Sequence, residues 1–258
     1  MAFTRISALA TILVIFYVCA TAASPSGRIL NGDDTATGQL PWVASVRVDN
    51  AHIAVGNIIS SNSVLTSAHG LSALATTAID ASRVSVRVGS INQYAGGQIV
   101  SVKSILIHPS FGNFLHDIAI ITLEQSLSFT DKIAAITLAT SEIDGNLTVG
   151  TNVSLAGWGL QQSGASPYKL QQTTLKVLSP SLCEYEAGYG YDSVLCLQHP
   201  VNQGISRGDD GAGVVANNTL VGVASFFFGA GGTKFPDVSS RVAYYSEWIA
   251  ANTATSSA

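Results

Sequence analysis

Charge is scarce in this chain. Only 11% of its 258 residues are Asp, Glu, Lys or Arg, and the formal net charge is -4. A polyanion-binding protein needs clustered Lys and Arg, and no basic patch is present, so no nucleic-acid partner is expected. Cysteine is scarcer still, at three residues. No metal-ligating cluster and no phosphate loop stands out, so neither a metal nor another cofactor is expected. Long apolar runs are missing after the first 23 residues, and no later stretch is long enough to cross a bilayer. What the chain does have is 47% hydrophobic residues and 24 glycines. That content supplies a sizeable core, for one large all-β unit or two small domains. The glycine count favours a turn-rich chain over a helical bundle.

Residues 1–23 read as a secretory signal. Arg5 gives a positive start, Ala8 to Cys19 is apolar, and the small residues Ala20, Ala22 and Ala23 follow. The competing reading is an uncleaved anchor, for which the run is short. Cleavage makes the mature protein secreted, extracellular and soluble, with no membrane partner. Cys19 leaves with the signal. Cys183 and Cys196 remain, and an even pair in an oxidising compartment is expected to form a disulfide. Two buried thiols are the alternative.

The mature part reads as short strands rich in Val, Ile and Thr, separated by turns. The first set is 43–48, 57–66, 84–88, 98–108 and 118–123. The second is 152–156, 173–178, 194–197, 213–216 and 220–226. The boundary falls in the polar segment 140–150. Even spacing of short strands argues for an all-β sandwich or barrel. One helix is expected, over 242–253, where Val242, Tyr245, Trp248 and Ile249 recur at helical spacing. No internal repeat is visible.

Several motifs stand in order: Arg28-Ile29-Leu30-Asn31-Gly32, Leu40-Pro41-Trp42, Leu65-Thr66-Ser67-Ala68-His69, His116-Asp117-Ile118-Ala119-Ile120, Ala156-Gly157-Trp158-Gly159, Gly208-Asp209-Asp210-Gly211 and Phe235-Pro236-Asp237-Val238. Each is weak alone. Together they resemble the chymotrypsin/trypsin-like serine proteases over residues 29–252. The resemblance implies two six-stranded antiparallel β-barrels with a C-terminal α-helix. It also implies a propeptide at 24–28, one peptidase-like unit at 29–252, and a tail at 253–258.

In that family a hydroxyl becomes nucleophilic when an imidazole takes its proton and a buried carboxylate orients the imidazole. The resemblance assigns His69 as the base and Asp117 as its partner. The nucleophile position departs. The family motif Gly-Asp-Ser-Gly-Gly-Pro reads here Gly208-Asp209-Asp210-Gly211-Ala212-Gly213, so Asp210 fills the serine slot. No shifted frame supplies a serine: Ser206 is four residues too early, and Ser225 belongs to a later strand. A carboxylate is a weak acyl acceptor, because attack on an amide makes an unstable anhydride. It also places negative charge where the oxyanion donors, the amides of Gly208 and Asp210, await a developing one. Pairing of Asp210 with His69 would raise the imidazole's pKa.

Arg28, Ile29 and Asp209 match the family's activation residues, in which a freed Ile amine pairs with the Asp before the nucleophile. The bland alternative makes Asp209 a turn residue. The specificity pocket, by resemblance Gly204, Ser225, Phe227 and Asp237, has changed. Gly204 replaces the acidic floor of trypsin-like members. Asp237 is placed to supply an acid from the opposite wall. Phe227 stands where a glycine normally admits a side chain, and some exposed aromatic surface is expected from Phe226, Phe227 and Phe228. Of the family's bridges only Cys183–Cys196 is matched. Gly70 and Ala54, Ser206 and Ala230, and Val153 and Ala216 replace others. The family's calcium loop has no acidic pattern between Ala73 and Gly97. Asn146, Asn152 and Asn217 begin Asn-X-Ser/Thr sequons and are candidate glycan sites.

Three functions compete. The first is a non-catalytic protease homologue, a monomer that binds an extracellular protein such as a protease or inhibitor through the old cleft. The second is a serine-type endopeptidase with weak or unusual activity on peptides. The third is an inert structural or storage protein.

Overall fold

The computed structural model describes residues 32–141 and 147–253. The leader 1–23, the propeptide 24–28, Cys19, Arg28, Ile29, Asn146 and the tail from residue 254 lie outside the described residues.

Six strands form the first closed barrel: β1 (Val43–Val48), β2 (Ala51–Ile58), β3 (Ser63–Thr66), β4 (Val84–Val88), β5 (Gln98–Ile107) and β6 (Ala119–Leu123). They are joined β1-β2-β3-β6-β5-β4 and back to β1, every pair antiparallel. The second barrel uses β7 (Asn152–Gly157), β8 (Gln171–Val177), β9 (Val194–Gln198), β10 (Gly213–Ala216), β11 (Thr219–Phe226) and β12 (Asp237–Arg241). Its ring order, β7-β8-β9-β12-β11-β10, repeats that of the first. The two halves thus share a topology that no residue-level repeat announces. The chain has already crossed at Thr137–Leu138, which pairs with Thr219–Leu220 of β11.

Alternation builds the walls. In β8, Gln171, Thr173, Leu175 and Val177 are buried while Thr174 and Lys176 face solvent, the period of two that a pleated strand imposes. The first barrel closes on Ala44, Val46, Val86, Val88 and Ile121. The second core reaches into the first half through Val43, Val55, Leu65, Ile118 and Ile120, so the seam between barrels is packed. Trp158 is buried there and its indole N–H donates to the Ile91 carbonyl at 2.8 Å.

Four local expectations are corrected. Residues 57–66 are not one strand. They are the end of β2, a turn over Ser60–Asn62 held by the Ser60 hydroxyl on Asn62 Oδ1 at 2.9 Å, and β3. A second α-helix exists, α1 (Pro180–Ala187), with Ser179 capping the Leu182 amide, Pro180 in the first turn and left-handed Gly188 ending it. The terminal helix begins as a 3-10 turn at Val242–Tyr245, and only α2 (Ser246–Thr253) is α-helical. β12 was not expected, because Asp237, Ser239 and Ser240 give it no apolar pattern although all three are buried. The Cys183–Cys196 disulfide is present and ties α1 to β9, with Cα atoms 5.8 Å apart.

Candidate functional site

The seam brings His69, Asp117 and Asp210 together from three separate loops. His69 opens a 3-10 turn just past β3. Asp117 lies just before β6 and is fully buried. Its Oδ1 accepts the amides of Ala68 and His69 at 2.7 and 2.8 Å. Its Oδ2 accepts His69 Nδ1–H at 2.8 Å and the Ser225 hydroxyl at 2.5 Å. Donors on both oxygens fix one carboxylate orientation, which fixes the imidazole with Nε2 facing the cleft. Ser225 was grouped with the specificity pocket. Its hydroxyl serves Asp117 instead.

Asp210 arrives from the second barrel, on the loop between β9 and β10. Its carbonyl accepts the Val55 amide of β2 at 2.7 Å, and Asn57 Nδ2 donates to the Gly211 carbonyl at 2.9 Å. Gly211 has φ +81°, and a Cβ there would stand 2.2 Å from the Val55 carbonyl oxygen, so no other residue fits. The backbone at 210 is therefore pinned to the first barrel whatever side chain it carries. The Asp210 carboxylate spans the slot. Oδ1 is 3.5 Å from His69 Nε2, and Oδ2 accepts the Gly208 amide at 3.4 Å. The amide expected to receive an oxyanion already faces the chain's own anion.

These contacts set the charge on His69. Burial alone would lower its pKa. Bonds to Asp117 and then Asp210, with their charges, outweigh it and raise the value to about 10. The ring is an imidazolium through the neutral range, and an imidazolium has no lone pair with which to take a proton.

Asp209 points the opposite way and is wholly buried. It accepts the Gly159 amide at 2.7 Å, the Ser206 amide at 3.0 Å and the Ser206 hydroxyl at 3.2 Å. Ser206, at a lost bridge position, has become one of its supports. Burial raises the Asp209 pKa to about 7 despite these bonds, and among the described residues no cation pairs with it. Ala230, the other residue of that lost bridge, is exposed.

The pocket floor is occupied. Asp237 is buried and is not a free acid. Its Oδ2 accepts the Ile205 amide at 2.8 Å, and its Oδ1 lies 3.3 Å from Nε2 of buried His199. Burial would lower the pKa of His199, and the bond to Asp237 raises it instead. Gly204 sits over this pair: a Cβ there would stand 2.5 Å from Asp237 Oδ2 and 3.0 Å from His199 Nε2. Phe227 is half-buried against the second core. Phe226 and Phe228 are half-buried too, so the triplet does not present one outward ring. β11 ends at Phe226 and the alternation ends with it. Phe226 packs instead with Tyr189, Phe228 and Phe114, at ring separations of 4.8, 5.7 and 5.2 Å. Phe114 is an exposed aromatic of this face, and its ring leans over His69 at 5.5 Å.

Sequence reasoning passed over three site residues: His199, His52 and Arg47. His52 Nε2–H donates to the Gly208 carbonyl at 2.9 Å, which leaves Nδ1 to accept from the Ser45 hydroxyl at 2.8 Å. Burial drops its pKa to about 4. A lone histidine inside a strand carries no sequence signal for such a role.

A family model for trypsin matches residues 29–249. The chain belongs to the trypsin family. It is 35% identical over 231 residues to trypsin epsilon of Drosophila erecta, covering 86% of each chain. It is 34% identical over 232 residues to trypsin alpha of Drosophila melanogaster, again covering 86% of each. Both barrels of this trypsin-family chain fall inside the match, and so do all the groups just described. Of the sequons, Asn152 is exposed at the first residue of β7, and Asn217 is exposed in the β10–β11 turn with φ 48°. Among the described residues no His, Cys, Asp and Glu cluster is placed to hold a metal ion.

Proposed function

We propose that this chain is a secreted, non-catalytic member of the trypsin family that binds another extracellular protein through its cleft. One observation carries the reading: a carboxylate occupies the nucleophile slot and reaches both His69 and the Gly208 amide. In this reading His69 is the former general base and Asp117 its orienting partner. Asp210 is the degenerate nucleophile position and Gly208 the former oxyanion donor. The imidazolium has no lone pair with which to take a proton, and the oxyanion donor is engaged before any substrate arrives. Loss of a nucleophile in a related triad costs about 10⁶ in turnover, and a comparable loss is expected here. Arg28, Ile29 and Asp209 form the maturation site, which orders the cleft after cleavage.

The second reading, a weak or unusual endopeptidase, has two supports. The relatives are named trypsins, and the His69–Asp117 pair is intact. Labelling by a fluorophosphonate probe after cleavage at Arg28 separates the two. Absence of labelling in the wild type, with gain on Asp210→Ser, supports the non-catalytic reading. Peptide hydrolysis by the wild type that is abolished by His69→Ala would sink it.

A further inference from the structure

Beside Asp210 lies a cavity of about 430 Å³. Its walls include Arg47, His52, Tyr94, Trp158, Arg207 and Asp210. Three cations gather on this side. Arg47 is 7% exposed and lines the cavity. Its Nη1 donates to the Gln93 carbonyl at 2.9 Å and its Nη2 to the Asn50 carbonyl, while its Nε has no hydrogen-bond partner. Arg87 is buried outside the lining, donating to the carbonyls of Gly96 and Tyr94. Arg207 stands exposed at the mouth. Among the described residues, none of the three has a carboxylate within ion-pair distance. Burial and then Arg87 push the Arg47 pKa down, the mark of a desolvated cation beside another.

Of the remaining ionisable groups on the wall, only one opposes this charge. His52 is neutral above about pH 4. Asp210 is the one carboxylate on the wall, and His69 faces it. The cavity is also roomier than a small inorganic anion needs. Apolar Ile53, Leu160 and Trp158 share its lining, which suits the methylenes below a charged head. It opens directly onto the cleft at Gly208 and Asp210.

We propose that this cavity takes the carboxylate side chain, Asp or Glu, of a polypeptide laid across the Asp210 end of the cleft. The buried guanidinium of Arg47 sets the potential and Arg207 makes the direct, charge-assisted contact at the mouth. The inference rests on the cleft-binding reading above and names the chemistry its partner presents.

The test uses the activated full-length protein and fluorescent nonapeptide pools that differ only in a fixed central residue: Glu, Gln or Lys. Anisotropy titrations are run at low and high NaCl, with inorganic sulfate as competitor. The Glu pool is expected to bind about tenfold tighter than Gln, the scale of one good charged pair. That preference should shrink at high salt and vanish in Arg207→Gln. In Arg207→Glu the Lys pool should overtake the Glu pool. Both substitutions are on the surface, so folding is not at issue. Equal binding of the Glu and Gln pools by the wild type overturns this inference and leaves cleft binding standing. Sulfate binding without a Glu preference overturns it as well. Failure of every pool to bind overturns the cleft-binding reading, and this inference falls with it.

Discussion

Asp210→Asn keeps the shape of the side chain at the slot and removes its charge. The pKa of His69 stands at about 10, against an ordinary 6.5. A group whose pKa rises on folding contributes stability that is full below its unfolded value and is lost as pH climbs through the folded one. The contribution is therefore complete below pH 6.5, declines above it, and is gone beyond about pH 10. At about 1.4 kcal/mol per pH unit, the whole rise caps at about 5 kcal/mol. Asp117 supplies the larger raising bond. The side chains of His69 and Asp210 are 25% and 16% exposed, so water screens their pair. That leaves Asp210 a share of roughly 1–2 kcal/mol. Two measurements check this: a histidine-ring NMR titration, and urea unfolding at pH 6 and pH 10.5, each on parent and variant. The variant should titrate at His69 about 1 pH unit lower. It should be less stable at pH 6 and indistinguishable at pH 10.5. A parent His69 titrating at or below 6.5 refutes the pairing. So does a stability gap that persists unchanged at high pH.

Three further outcomes follow from neighbouring groups. In the proposed maturation, cleavage after Arg28 frees an amine for Asp209, whose pKa of about 7 marks a penalty that grows as pH rises from its ordinary 3.8 and is full above 7. Cleavage should therefore raise the unfolding temperature more at pH 7 than at pH 4, by an amount equivalent to roughly 2–4 kcal/mol; equal shifts would separate the amine from Asp209. His199→Ala removes the ring that faces buried Asp237 at 3.3 Å, so chemical denaturation should show a loss of about 3 kcal/mol. Calorimetry should then detect benzamidine binding that the parent lacks, and no gain in binding would show that His199 is not what neutralises the pocket floor. Replacing both cysteines of the Cys183–Cys196 bridge, which spans 13 positions, should cost about 3 kcal/mol in urea unfolding, and an unchanged midpoint would make the bridge redundant.

How much of this was legible in the sequence depends on what kind of force sets each feature. β1, β4 and β10 coincide with their expected spans, because Val-rich β-prone runs and near-continuous burial select the same residues. The helix α1 was missed because Cys183 is its one buried residue, which leaves no apolar stripe to read. Its caps, Ser179 and Gly188, were the available signal. β12 was missed because three of its four buried positions are polar, and Ser240 finds its partner elsewhere, its hydroxyl donating to the Asp117 carbonyl at 2.9 Å. Chain-local patterns cannot show a partner 123 positions away.

The same limit governs the site. Motif spacing brought His69, Asp117 and Asp210 into view, but the expected acid at Asp237 misled, since its partner His199 carries no motif. The pairing changes what Gly204 means. An acid at 204 would have to stand where Asp237 and His199 already are, since a Cβ alone comes within 2.5 Å of the Asp237 carboxylate. The glycine is thus coupled to a filled pocket floor. Ser206 is coupled in the same way to buried Asp209, and the Asp210 carboxylate to His69 and Gly208. Each of these three departures from the peptidase pattern is met by a specific contact. Restoring the hydroxyl at 210 alone leaves Asp237 facing His199. A serine there can be acylated by a small probe that needs no pocket, while a peptide still lacks a charged anchor for its basic side chain.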